Sequence, residues 1–111
     1  MKNVIVYVTV SNVKEGEFIA RTLVEERLVA CVNLRGGHRA FYWWDGEVQD
    51  EEEVSFIAKT KASLVEKVTE RVKELHSYSC PCVVTLPIES GNPAFLKWID
   101  EETATPTTRE P

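Results

Sequence analysis

The densest chemistry in this chain is a pair of cysteines two positions apart, Cys80-Pro81-Cys82, with His76 shortly before them. Residues i and i+2 of an extended segment project to one side, so the two thiols face the same way. Two thiolates with an imidazole close by suit a soft or borderline ion such as Cu(I) or Zn(II). The same spacing also fits two small apolar side chains entering a buried strand, since free cysteine is among the most buried residue types. His76 is open to two readings as well. It follows a predicted helix, where a cation interacts with the dipole and the last carbonyls. Equally, it is a metal ligand or a proton carrier. The paired Cys-x-x-Cys pattern of a structural zinc site is absent.

Other residues stand out by type. Tyr42, Trp43 and Trp44 form either a ligand platform or a packing cluster between subunits. Lys59 interrupts an apolar stretch, so it lies at a surface edge or is paired in a cleft. The run Asp50 to Glu53 attracts hard cations, or is simply a solvated strand whose charge prevents edge-to-edge aggregation. His38, beside Gly36-Gly37, is expected to be exposed, and Cys31 to pack in the core. There is no GxSxG, P-loop or GxGxxG, and no nucleophile, base and orienting group assemble. An enzyme is therefore not expected.

The elements that position these residues centre on Val29 to Lys61, which reads as one long β-hairpin. Asp45-Gly46 is its turn, a dipeptide that accepts the positive φ angles of primed turns. Gly36-Gly37 marks a bulge or bend in the first arm, whose strand opens at Val29 to Leu34. Val4 to Val10 is a strand apolar on both faces, hence covered on both sides. Asn12 caps a first helix, with Glu15 three residues on and a buried stripe of Phe18, Ile19, Thr22, Leu23 and Leu28. Ser63-x-x-Glu66 reads as the capping box of a second helix, with Val65, Val68, Val72 and Leu75 buried. Cys82 to Ile88 is a fourth strand. Asn92-Pro93 opens a short third helix ending near Glu102, lined by Phe95, Leu96 and Ile99. The domain spans residues 1–102, and a tail at 103–111, with two prolines, is expected frayed or draped.

The order βαββαβ plus a helix predicts an α+β chain of ferredoxin-like topology, an antiparallel sheet with both main helices on one face. The other face then exposes the second apolar side of the first strand. A second copy of the chain is the expected cover, and the projecting hairpin a means of embracing it. The 111 residues carry a net charge of −5, which argues against nonspecific nucleic-acid binding. No apolar run is long enough to cross a membrane. Three cysteines make no disulfide framework, and with Met1 leading almost directly into strand residues no secretory signal is expected. A cytoplasmic protein with reduced thiols is expected.

With these residues in view, the chain resembles the CutA divalent-cation tolerance family. The resemblance runs from about Val4 to Glu102. It is carried by Val24-Glu25-Glu26-Arg27-Leu28-Val29-Ala30-Cys31-Val32-Asn33-Leu34, Tyr42-x-Trp44-x-Gly46, Lys59-Thr60, His76-x-Tyr78-x-x-Pro81, and Leu86-Pro87-Ile88-x-x-Gly91-Asn92 followed by Leu96-x-Trp98. It implies a ferredoxin-like fold, a homotrimer assembled as in PII signalling proteins, and a part in tolerance of copper and other divalent cations. The copper ligands proposed for some members align with Val8, Leu75 and His76, so only His76 matches. The family's His-Pro-Tyr-x-x-Pro-Glu reads His76-Ser77-Tyr78-Ser79-Cys80-Pro81-Cys82 here.

Three functional expectations follow. In the first, a homotrimer binds copper or another divalent cation weakly through His76, Cys82 and Cys80. In the second, a PII-like trimer binds a small molecule in clefts between subunits lined by Lys59, Tyr42, Trp44, His76 and Tyr78. A trimeric scaffold is a third.

Overall fold

The chain forms β1 (Asn3–Val10), α1 (Val13–Glu25), β2 (Cys31–Trp44), β3 (Glu47–Lys61), a 3-10 turn (Ala62–Leu64), α2 (Val65–Leu75), β4 (Val83–Pro87) and α3 (Pro93–Glu102). The computed structural model describes residues 2–105. The four strands make one antiparallel sheet in the order β2-β3-β1-β4, the predicted ferredoxin-like arrangement.

The core follows from alternation on the central strands. Val4, Val6, Val8 and Val10 of β1 are buried, as are Val54, Phe56 and Ala58 of β3. They pack with Ile19 and Leu23 of α1 and Val68 and Val72 of α2. Period-two burial on strands thus meets period-3.6 stripes on two helices. Phe18, expected in the α1 stripe, is instead 57% exposed. The stripe is centred on Ile19 and Leu23, and Phe18 lies one helical step off it. Gly16 is buried because α1 comes close to the sheet here; a Cβ would stand 2.8 Å from Leu34 Cδ1.

The helix starts show what local sequence decides. Asn12 caps α1, its Oδ1 accepting from Glu15 N at 2.9 Å. The Glu15 carboxylate reaches back one residue further than a capping box, to Ser11 N and Ser11 Oγ. Asn92 caps α3 in the same way, followed by Pro93. The Ser63 capping box does not form: α2 has no side-chain cap. The chain leaves β3 through the 3-10 turn, which places Ser63 inside that turn and starts the helix at Val65. β2 begins at Cys31 and runs through the bulge to the turn, and β4 begins at Val83, one residue past Cys82.

The hairpin turn has Asp45 at φ 56° and Gly46 at φ 75°, the primed geometry that matches strand twist. The register slips between Arg35 and His38, where Gly36 and Gly37 together oppose Val54. This bulge exchanges the faces of β2. Before it, Cys31, Asn33 and Arg35 share a face with Ile5, Tyr7 and Thr9; after it, His38, Ala40, Tyr42 and Trp44 take that face. Cys31 is consequently half-buried beside Lys59 on the face away from α1 and α2, not part of the core. From His38 to Glu53 the hairpin has no third strand beside it, because β1 ends its pairing at Val10 with Val54.

The second sheet face is not entirely without a helix, contrary to expectation. Asn3 Nδ2 donates to Asp100 Oδ1 at 2.9 Å, and Lys61 Nζ to the carbonyls of Thr103 and Ala104. These bonds hold α3 against the end of that face. Its buried contribution is Ile99, whereas Phe95 is 42% exposed. Docking continues past Glu102, since Ala104 N donates to Arg27 O. The expectation for the tail beyond position 105 lies outside the described residues. Higher on the same face, Ile5, Tyr7 and Ile57 are half-buried, and Val84 and Leu86 beside them are exposed.

Candidate functional site

The loop from His76 to Cys82 is fastened from below. The His76 side chain is fully buried. Its Nε2 lies 2.7 Å from Thr9 O, and its Nδ1 accepts from Tyr78 N at 3.0 Å. A nitrogen that accepts an amide proton carries no hydrogen, so the proton sits on Nε2 and is donated to Thr9. Both ring nitrogens are therefore committed to backbone. In this conformation His76 ties the loop that follows α2 to the end of β1.

Glu15 is the second fastening. Its Oε2 accepts from Ser77 N at 2.7 Å while Oε1 accepts from Ser11. Burial pushes this carboxyl up, but the hydrogen bonds from Ser11 and Ser77 outweigh it and hold the pKa at about 2, against 4.5. A carboxylate with a lowered folded pKa stabilises the fold above its unfolded value and loses that contribution as pH falls through the folded one. Glu15 should thus contribute about 2 kcal/mol above pH 4.5, lost on acidification toward pH 2. Unfolding of Glu15→Gln by urea at neutral and acid pH checks this. The variant should be weaker at neutral pH and converge with the wild type in acid; equal stability at neutral pH would refute it.

Above this base lies a cavity of about 740 Å³ between the hairpin and the loop. Tyr42 and Trp44 enter it from β2, Tyr7 and Thr9 from β1, Glu51 and Glu53 from β3, and Tyr78, Cys80 and Cys82 from the loop. Tyr42 Oη donates to Glu51 at 2.8 Å, and Tyr78 Oη to Glu53 at 3.2 Å. Burial and the Glu53 charge push the Tyr78 hydroxyl up to about 12, so it stays a donor. The bond to Glu51 raises the Tyr42 pKa too. Burial, then Glu53, pushes the Cys82 thiol up. Any metal bound there must displace the thiol proton.

The structure therefore brings together Tyr42, Trp44, Tyr78, Cys80 and Cys82, and separates the others. His76 lies below, turned inward. Lys59 is bonded to Asn33 Oδ1 at 2.8 Å and does not line the cavity. Along β3 it is six residues from Glu53, roughly 20 Å. Among the described residues no three His, Cys, Asp or Glu side chains are grouped as a metal site. Two thiols with carboxylates nearby fit a thiophilic cation only in part, because further ligands are needed.

Three residues escaped the sequence reading. Glu53 was hidden inside an acidic run, although it shares strand phase with Glu51. Glu15 looked like half of a capping box. His38, expected to be exposed, is half-buried, with a buried Nε2 that has no partner. The bulge turns it under the hairpin, opposite Glu53.

Fold and site define a class: a ferredoxin-like α+β chain with an overlong second hairpin, an uncovered sheet face and an aromatic, acidic cleft at the hairpin's base. The sequence model of the CutA1 divalent ion tolerance protein family matches residues 4–102. The chain belongs to that family. The divalent-cation tolerance protein CutA of Pyrococcus horikoshii is 45% identical over 100 residues, covering 90% of this chain and 97% of that protein. The chloroplastic protein CutA 1 of Oryza sativa is 43% identical over 91% of this chain, which spans only 57% of that longer relative. The crystal structure of CutA1 from Oryza sativa superposes with a TM-score of 0.92 at 41% identity, covering 94% of this chain and 95% of that one. The corresponding protein from Thermus thermophilus gives 0.90 at 42%, covering 92% and 99%.

Proposed function

We propose that this chain acts as a non-enzymatic homotrimer in tolerance of divalent cations, binding copper or another divalent ion weakly at Cys80 and Cys82. The observation that carries the metal reading is the pair of thiols lining a cleft that also holds Glu51 and Glu53. Membership in a divalent ion tolerance family supports the cargo. Ligands beyond the two thiols come from Glu51, Glu53, water or a neighbouring subunit. His76 joins them only by giving up Thr9 and Tyr78. Calorimetric copper titration of wild type, Cys80→Ser, Cys82→Ser and His76→Ala tests the assignment. Either thiol substitution should weaken uptake at least about tenfold. Unchanged uptake in both would exclude this site. The three unpaired cysteines support a cytoplasmic location, which cell fractionation tests.

Assembly is supported by what one chain leaves uncovered. Ile5, Tyr7, Ile57, Val84 and Leu86 share one sheet face, with Val84 at 53% and Leu86 at 60% exposure. β2 and β4 are both free edges, and joining the β4 edge of one copy to the β2 edge of the next is a heterologous contact, which builds a ring when its rotation closes. At the hairpin tip, Phe41, Trp43 and Trp44 are 66%, 73% and 53% exposed. Aromatic side chains so displayed are the anchors expected of an interface. Trp44→Ala should therefore weaken the trimer by about 2 kcal/mol or more while leaving the monomer core intact. Sedimentation equilibrium measures this, and an unaltered dissociation constant would contradict it.

The cleft's volume and its aromatic lining favour a second reading, a PII-like trimer that binds a small molecule. A thermal-shift screen of nucleotides and metabolites on metal-free protein tests it. Absence of any stabilising ligand would remove it.

A further inference from the structure

The two arms of the hairpin carry opposite charge. β2 holds Arg35, His38 and Arg39 and no acidic residue, whereas β3 holds Glu47, Asp50, Glu51, Glu52 and Glu53. β2 is a free edge of the sheet and β3 lies inside it, so the basic arm borders whatever is placed beside that edge. Within the cleft, Glu53 is only 8% exposed, and its carboxylate accepts the Tyr78 hydroxyl at 3.2 Å. A carboxylate so far from water is costly unless a cation meets it. Arg39 is taken by Asp50, at 2.9 and 2.8 Å. Arg35 opposes Ser55 on the same face as Glu53, yet it is exposed and forms no ion pair among the described residues. Directly across the strand pair from Glu53 stands His38, whose buried Nε2 has no hydrogen-bond partner among the described residues.

Strand pairing sets the heights of these groups. Arg35 opposes Ser55, and Ser55 opposes Thr9; on the far edge, Cys82 directly precedes Val83, the partner of Val8. Arg35 on one edge and Cys82 on the other therefore both stand level with Thr9. β2 runs antiparallel to β4, so two copies standing the same way up can join these edges as an antiparallel pair. Joined level, the β2 edge of one copy brings Arg35 beside Cys82, at the wall of its neighbour's cleft. A guanidinium carries five N–H donors in a fork, which suits a carboxylate and an adjacent ring nitrogen together. We propose that the cleft is closed by a second copy of the chain, whose Arg35 enters it and pairs with Glu53 and His38. The inference rests on the edge-joined assembly proposed above and names the residue that the neighbouring copy contributes to the site. It also gives the joint a direction. Two β4 edges joined to one another would bring no arginine to either cleft, so the pair favours the β4-to-β2 contact.

The test is sedimentation equilibrium of the full-length, metal-free chain and its variants. Arg35→Gln should raise the dissociation constant of the oligomer at least about thirtyfold, and Glu53→Gln by as much. The chain carrying both substitutions should dissociate no more readily than either alone, because the second removes a charge already left without its partner. Arg35 is exposed in a single chain, so Arg35→Gln keeps the fold even where a change at Glu53 disturbs it. A charge exchange then decides whether the pair lies within one chain or between two. Arg35→Glu and Glu53→Arg should each dissociate alone, and mixing them should yield oligomers that contain both chains, read by native mass spectrometry. Recovery only in one chain that carries both changes would place the pair within that chain and overturn the proposal. A wild-type oligomer unmoved by Arg35→Gln would overturn the ion pair while leaving the assembly. A monomeric wild type would overturn the assembly and the pair together.

Discussion

Replacing His76 with alanine should destabilise the metal-free protein by about 3 kcal/mol. The ring is fully buried and makes hydrogen bonds to Thr9 O and from Tyr78 N. Its removal strands a backbone acceptor and a backbone donor, each costing about 1–3 kcal/mol when left without water. It also empties the space beside the Tyr78 ring, whose centroid lies 4.7 Å from the imidazole. Released from β1, the loop would lose the placement of Tyr78, Cys80 and Cys82. Urea unfolding of chelator-treated protein measures the effect. A metal-free variant as stable as the wild type would mean that the ring is a free ligand rather than a fastening. The experiment must be made without metal, since any ion bound to the native state alone adds stability by mass action.

The second large effect is expected at Phe56, which is fully buried in the central strand β3. Val8 faces it from β1 and Leu34 from β2, so three strands meet at its side chain. Phe56→Ala should cost about 3–5 kcal/mol through lost burial and the cavity left behind. A domain of this size has only about 5–15 kcal/mol in total. The loss should appear as a lower urea midpoint with little change in slope, at every protein concentration tested. That separates it from Trp44→Ala, whose effect should fade as concentration rises. A Phe56→Ala midpoint within error of the wild type would contradict the core assigned to this sheet.

Much of the frame was legible because its signals are local. Asn12 and Asn92 cap helices through their own side chains. Asp45-Gly46 takes two positive φ angles that few other dipeptides accept. Val4 to Val10 is apolar on both faces, and one face is buried while the other awaits a cover. Where the reading failed, a tertiary contact outweighed a local preference. Ser63 has the spacing of a cap, but the exit from β3 occupies that turn. Phe18 is apolar at helical spacing, but the sheet lies under Ile19 and Leu23. His76 keeps the chemistry of a ligand, and the fold adds a hydrogen bond from its Nε2 to the carbonyl of Thr9, 67 positions away in sequence.

The amino-acid sequence by itself determined the order of elements, the long hairpin with its turn and bulge, the helical stripes around Ile19 and Val68, and the likeness to one family. All depend on patterns within a few residues of one another. Only the tertiary structure decided which side chains share a site. The Gly36-Gly37 bulge shifts the strand phase by one residue, and that shift directs Tyr42 and Trp44, rather than Phe41 and Trp43, to the face of Glu53 and Tyr7. Pairing between β2 and β3 then sets His38 against Glu53, and the fastened loop brings Tyr78, Cys80 and Cys82 to them. Within one chain, His76 and Lys59 do not line this cavity. A site of this kind is built from side-chain directions on four separate segments, and direction at a distance is what a linear pattern does not encode.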